Sequence, residues 1–293
     1  MLPKAKSSFS KALIVEGGGM KGAFSGGVLA CMRQFFPKKK FDLVVGVFSG
    51  SCSSAYYVLD RNGEHSQKIL DIWKHELHGN KFISFWNPLK NFSSIMNQAY
   101  LIEELFQKKY RLPIENFNST DTPPFFIVVS DLKREIPRYV QATKENIFSL
   151  LKAATALPIA TRGKYWFEGS LLGDGGALDP IPIETVIKAG YKDITLILNH
   201  PKTKFSEPIS KFLSKLAFPF EKNFARKIRY YHHLMYNKAK SFLLHPPPNI
   251  KIEIIAPEEP LPLNVVTTNI KKLHYAVYKG WQKAYSTFAR GKN

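Results

Sequence analysis

Leu13-Ile14-Val15-Glu16-Gly17-Gly18-Gly19-Met20-Lys21-Gly22 is an apolar run that breaks into a glycine-rich turn. A second break follows in Phe41-Asp42-Leu43-Val44-Val45-Gly46-Val47-Phe48-Ser49-Gly50-Ser51. Each reads as a buried strand that stops where backbone is exposed, with a helix beyond it. Further short, β-rich apolar runs lie near 125–130, 194–199 and 251–255. Amphipathic stretches fall between them, near 22–35, 51–60, 65–77, 99–107, 145–153 and 181–189. Buried parallel strands read as continuous apolar runs, and alternation with helices predicts an α/β fold: a mostly parallel central sheet covered on both faces. Pro180 and Pro182 open the helix at 181–189 and Gly190 closes it, the expected asymmetry of helix ends.

The 293 residues are 44% hydrophobic, enough for one large core with a smaller cap. The sequence predicts no signal peptide and no transmembrane helix, hence a cytoplasmic protein or one peripheral to a membrane. Cys31 and Cys52, the two cysteines, make no disulfide framework or metal site and read as small buried residues on helices. The net charge of +19 favours contact with anionic surfaces. A zinc finger, an RRM signature and a helix-turn-helix are all missing, so phospholipid is the expected partner and nucleic acid is not.

Residues 205–248 leave the α/β rhythm. Phe205, Phe212, Leu216, Phe220, Phe224, Tyr231, Leu234 and Met235 interleave with Lys211, Lys222, Arg226, Lys227, Arg229 and Lys238, and Pro246-Pro247-Pro248 ends the segment. It reads either as a helical cap packed on the sheet with its lysines in water, or as an interfacial segment whose aromatics meet a membrane. The sequence thus divides into a core at 10–204, a basic aromatic insertion at 205–248, and a closing strand and helix at 249–293.

Gly17 to Gly22 can bring backbone N–H groups and a helix N-terminus to one point, where they would stabilise an anion, either a pyrophosphate or a transient oxyanion. A dinucleotide site would want an acidic residue at the end of the second strand, but Asp42 stands at its start. A P-loop would need Gly-Lys-Ser/Thr, and Lys21-Gly22-Ala23 does not supply it. The second break has the spacing of a nucleophile elbow, with Gly46 and Gly50 as the small residues two positions either side of its tip. Downstream, Asp174-Gly175-Gly176 follows a strand-like hairpin, where the carboxylate stands either as a turn cap or as a catalytic base.

These blocks, in this order, resemble the bacterial patatin-like phospholipases. The resemblance covers roughly 10–200, and Thr267 through Gly280 is similar to the family's closing helix. It implies a three-layer α/β/α sandwich and lipid acyl hydrolysis by a Ser-Asp dyad, without metal, cofactor or catalytic His. Gly17, Gly18, Gly19, Met20, Lys21 and Gly22 would form the oxyanion loop, Gly46 to Gly50 the elbow, and Asp174 with Gly175 and Gly176 the base motif. The substrate would be a phospholipid or another acyl ester, met at an anionic membrane surface. Lys21, where the family more often has Arg, keeps the charge and loses the planar fork.

The departure is Phe48, at the tip where the family has serine. Three explanations stand at this level. The chain is a pseudoenzyme that binds lipid or a partner; or the elbow has slipped by one and Ser49 is the nucleophile acting with Asp174; or Ser51 serves from the first helical turn. Among the histidines, His200, just past the fourth strand, is the best placed for a triad alternative.

Overall fold

The structure, a computed structural model, describes residues 1–289 except 61–62, 64, 87–93, 162–164, 212–213 and 216–217. Phe212 and Leu216 therefore lie outside the described residues. In chain order the strands are β1 (Lys11–Val15), β2 (Leu43–Val47), β3 (Phe125–Asp131), β4 (Ile136–Gln141), β5 (Tyr165–Phe167), β6 (Ser170–Asp174), β7 (Asp193–Ile197) and β8 (Lys251–Ile255). The helices that matter here are α1 (Ala23–Phe35), α2 (Ser49–Leu59), α3 (Ser66–Asp71), α4 (Ile147–Ala154), α5 (Ile183–Lys188), α6 (Lys222–Leu244) and α7 (Ile270–Ala289). A π-helical stretch spans Tyr100–Lys109.

One eight-stranded sheet runs in the order β5-β6-β3-β2-β1-β7-β8, with β4 on the other edge of β3. Strands β3, β2, β1, β7 and β8 are parallel, β4 and β6 pair antiparallel with β3, and β5 pairs antiparallel with β6. The parallel strands are the five apolar runs read from the sequence. Strand β4, partly exposed along its whole length, carries no comparable run and was not legible.

The alternation of side chains across the sheet builds two cores. Leu13, Val15, Val44, Phe125 and Ile127 face α1, α2 and α7. Ala12, Ile14, Val45, Val47 and Val128 face α5 and α6, through Ile183, Val186, Tyr236 and Leu243. The result is the expected helix–sheet–helix sandwich. Helices α1 and α7 cross closely because two glycines remove side chains from the contact. A Cβ on Gly27 would lie 2.1 Å from the Val277 carbonyl oxygen, and one on Gly280 would lie 2.0 Å from that of Phe24.

The 205–248 segment contains one long helix, α6, whose Phe224, Ala225 and Ile228 pack with Leu171, Leu178 and Phe218. Its Tyr230, Tyr231, Leu234 and Met235 remain exposed.

Candidate active site

Strand pairing brings the elbow and the aspartate together. β4 occupies one edge of β3 from Phe126 to Asp131, so β2 and β6 share the other. β2 ends with Val47 opposite Val128, and β6 arrives from the opposite direction with Asp174 opposite Val129. The two strands meet head-on at consecutive residues of β3. The Ser130 hydroxyl fixes the junction by donating to the Asp174 carbonyl at 2.6 Å. Gly175 is required there, since a Cβ would lie 2.1 Å from the Val128 carbonyl oxygen.

The elbow tip is Phe48. Its φ of 47° and ψ of −121° place a bulky residue in the strained backbone region, and Ser49 is already the first residue of α2. The strained position of the elbow is thus 48, one residue before Ser49. Gly50 and Gly46 allow the bend, because a Cβ on Gly50 would sit 2.5 Å from the Val15 carbonyl oxygen and one on Gly46 2.7 Å from Ser51 Cα. The hydroxyls of Ser49 and Ser51 are buried without a hydrogen-bond partner among the described residues, so neither is bonded to Asp174. Ser49 lines the cavity described below, and Ser51 does not.

The glycine loop leaves β1 between β2 and β7. Gly18 and Gly19 have φ of 141° and 58°, which a side chain would strain. Among the described residues the N–H groups of Gly17, Gly18 and Gly19 have no partner, while Met20 N–H donates to the Val265 carbonyl at 3.2 Å. Asn199, at the end of β7, holds the loop. Its side-chain nitrogen donates to the carbonyls of Glu16 at 2.8 Å and Gly17 at 2.9 Å, and its Oδ1 accepts from Ser25 N–H at 3.1 Å. Asn199 N–H in turn donates to Glu16 Oε2 at 2.5 Å. Sequence reading passed over Asn199; a polar residue directly after the apolar run of β7 was the available signal.

His200 bonds neither serine. Its Nε2 lies 2.9 Å from Lys21 Nζ and its Nδ1 3.6 Å from Glu16 Oε1. Lys21 therefore anchors to His200 at the side of the loop, and burial followed by the nearby Lys204 lowers its pKa.

Asp174 Oδ1 accepts from Gly176 N–H at 2.8 Å. Burial pushes the Asp174 carboxyl up to about 7, against the smaller opposing effect of that hydrogen bond. A carboxyl that titrates near neutrality is suited to take and return a proton. Cys52 also faces the cavity, but burial raises its thiol to about 12, which removes it as a nucleophile.

Gly17 to Met20, Phe48, Ser49, Asp174 and Gly176 all line one cavity of about 440 Å³. Its other wall is apolar, formed by Ile69, Ile72, Leu77, Ile83, Met96 and Leu101 among others. The size is that of a small-ligand site, and the lining suits an acyl chain whose carbonyl end meets the free amides and the aspartate.

A hydrolase-type elbow with phenylalanine at its tip, a glycine-loop amide cluster and a largely buried aspartate, on one α/β/α sandwich, define a fold of the lipid acyl hydrolase class. A family model described as "Patatin-like phospholipase" matches residues 13–187, more than half of the chain, and the chain belongs to that family. A second, described only as a domain of unknown function (DUF6363), matches residues 223–289. Over 265 residues the chain is 25% identical to "Uncharacterized protein YjjU" of Escherichia coli (strain K12), spanning 85% of this chain and 69% of that protein. The crystal structure of VipD from Legionella pneumophila aligns over 96% of this chain and 67% of its own, with a TM-score of 0.50 and 14% identity, a likeness of fold.

Proposed function

We propose that this protein holds lipid acyl groups in its cavity and, as it stands, does not hydrolyse them. The observation that carries this is Phe48 at the strained tip of an otherwise complete hydrolase elbow. In a patatin-like reaction the tip hydroxyl adds to the acyl carbonyl while the aspartate takes its proton and the loop amides hold the oxyanion. The adduct collapses as the aspartic acid gives that proton to the departing alkoxide; the regenerated aspartate then takes a proton from water, which adds to the acyl-enzyme carbonyl, and returns it to the serine oxygen as the fatty acid leaves. Phenylalanine offers no lone pair for the first step. The remaining parts, free amides, an apolar wall and a carboxyl near neutrality, still suit an ester or acid headed by an acyl carbonyl.

The exposed Tyr230, Tyr231, Leu234 and Met235 of α6, with Arg226, Lys227, Arg229 and Lys238 on the same helix, support docking to an anionic bilayer from which such a lipid would be drawn. A second reading, hydrolysis through Ser49, is favoured by its unpartnered hydroxyl in the cavity wall.

The test pairs binding with turnover. Native mass spectrometry of the purified protein with a long-chain acyl ester is expected to show a one-to-one complex with the ester intact after prolonged incubation. Steady release of free fatty acid by the wild type would overturn the non-hydrolytic reading.

A further inference from the structure

One face of α2 lines the cavity in helical order from the elbow inward, through Ser49, Cys52, Ser53 and Tyr56. Beyond Tyr56 the lining stops, and Tyr57, Val58 and Leu59 are buried in the core instead. A second wall comes from α3 and the π-helical stretch Ile72–Glu76 that continues it. Trp73 Nε1 donates to Ser53 Oγ at 3.0 Å, which sets the two helices level at that point. One turn deeper on α2 stands Tyr56, and one turn back from Trp73 stands Ile69, which also lines the cavity.

That end is closed by two rings. Tyr56 meets Phe106 edge-on with centroids 5.1 Å apart, and the two side chains are 1% and 2% exposed. The Tyr56 hydroxyl donates to the Tyr110 carbonyl at 2.7 Å, so the ring cannot swing aside without leaving a buried polar group unsatisfied. Elsewhere the cavity is open. Phe205, Val265 and Val266 line it and are exposed, which marks the mouth. Ile95, Leu157 and Ala160 are only half-buried, on the side where Asp174 N–H donates to the Ala156 carbonyl. Among the described residues, the closed branch therefore runs from the elbow along α2 to Tyr56 and Phe106. An α-helix rises about 1.5 Å per residue, which separates Phe48 from Tyr56 by about 12 Å. An extended chain of C–C bonds advances about 1.25 Å per carbon, so that distance takes about ten carbons.

Resting on the acyl-binding reading above, we propose that this branch is a chain-length ruler, in which Tyr56 and Phe106 stop an acyl chain about ten carbons beyond a carbonyl held at the glycine loop. Each methylene up to that stop leaves water for an apolar wall. Each one beyond it stays at the mouth and gains nothing. The ligand that fills the branch is a medium-chain acyl group, and longer chains bind no more tightly.

The experiment is isothermal titration of the full chain, below micelle-forming concentrations, with the even-numbered saturated fatty acids from hexanoate to palmitate. Affinity is expected to rise about fourfold per methylene and to level off near decanoate or dodecanoate. In Phe106→Ala, which removes one of the two rings, the levelling is expected to move to chains at least about two carbons longer. In Cys52→Met, which adds bulk half-way along the branch, it is expected to move to shorter chains. Should Phe106→Ala fail to fold, Cys52→Met and the wild-type profile carry the test. An unbroken rise from hexanoate to palmitate overturns the ruler while leaving acyl binding standing. A levelling that stays in place in every folded variant also overturns it. Binding of no chain at any length overturns the acyl-binding reading and this inference with it.

Discussion

A Cβ on Gly22 would lie 2.6 Å from Ser49 Oγ, so the Ser49 hydroxyl is pressed against the last residue of the glycine loop. It makes no hydrogen bond to Asp174. The side chain at the tip is instead Phe48, whose own Cβ stands 2.8 Å from where a Cβ on Gly17 would be. Loop and tip are thus in direct apposition, and the residue that faces the free amides lacks a nucleophile.

Restoring that atom should restore chemistry. Phe48→Ser is expected to hydrolyse a chromogenic acyl ester at least about 100-fold faster than the wild type, since a positioned nucleophile with its base supplies effects of that size. Because Asp174 must be unprotonated to accept the serine proton, the rate should rise with pH through a midpoint near 7. Adding Asp174→Asn should abolish the gain. A Phe48→Ser protein that folds, binds the ester and stays silent would argue that more than the tip has been lost.

Ser49→Ala separates the two nucleophile readings. The hydroxyl is buried and unpartnered, so its removal should be neutral or stabilising by up to about 1 kcal/mol in chemical denaturation. Any esterase activity of the wild type should be unchanged by it. Loss of such activity in Ser49→Ala would reinstate Ser49.

Asp174 should also leave a mark on stability. Burial raises its folded-state pKa from 3.8 to about 7. Below pH 3.8 the carboxyl is protonated in both folded and unfolded chains and carries no penalty. Between 3.8 and 7 the unfolded chain releases the proton while the folded one keeps it, so this group lowers stability as pH rises, and its penalty reaches full size above that window. At about 1.4 kcal/mol per unit the ceiling is near 4 kcal/mol. Asparagine does not titrate. Asp174→Asn should match the wild type in melting experiments at low pH and exceed it at pH 8; a difference constant with pH would refute the assignment.

The α1–α7 crossing depends on missing side chains. Gly280→Ala would place a methyl 2.0 Å from the Phe24 carbonyl oxygen, which is backbone and cannot swing away. Destabilisation of about 3 kcal/mol or more is expected in urea titration. A loss under about 1 kcal/mol would mean that the helices separate easily.

Docking to bilayers should depend on both charge and the exposed face of α6. Liposome sedimentation should pellet the protein with anionic vesicles and release it at high salt. Leu234→Asp, on an exposed position, should cut the bound fraction severalfold without changing the melting temperature. Equal pelleting with zwitterionic vesicles would exclude charge-driven docking.

The sequence by itself determined the parallel half of the sheet, because buried parallel strands must be apolar on both faces and therefore show as the runs that became β1, β2, β3, β7 and β8. It also determined the glycine positions, since backbone that packs against backbone admits no side chain, and it determined that position 48 carries no nucleophile. Only the tertiary structure decided the rest. Strand β4 is an edge with a mixed surface, so its pairing with β3 follows from the neighbours and not from its own pattern. The meeting of Val47 and Asp174 along one edge of β3 joins residues far apart in the chain through a register that no local signal encodes. Asn199 as the brace of the glycine loop exists only once β7 pairs with β1, and His232 and Tyr236 reach the cavity wall only once α6 has docked, because burial and apposition, not residue type, give those side chains their chemistry.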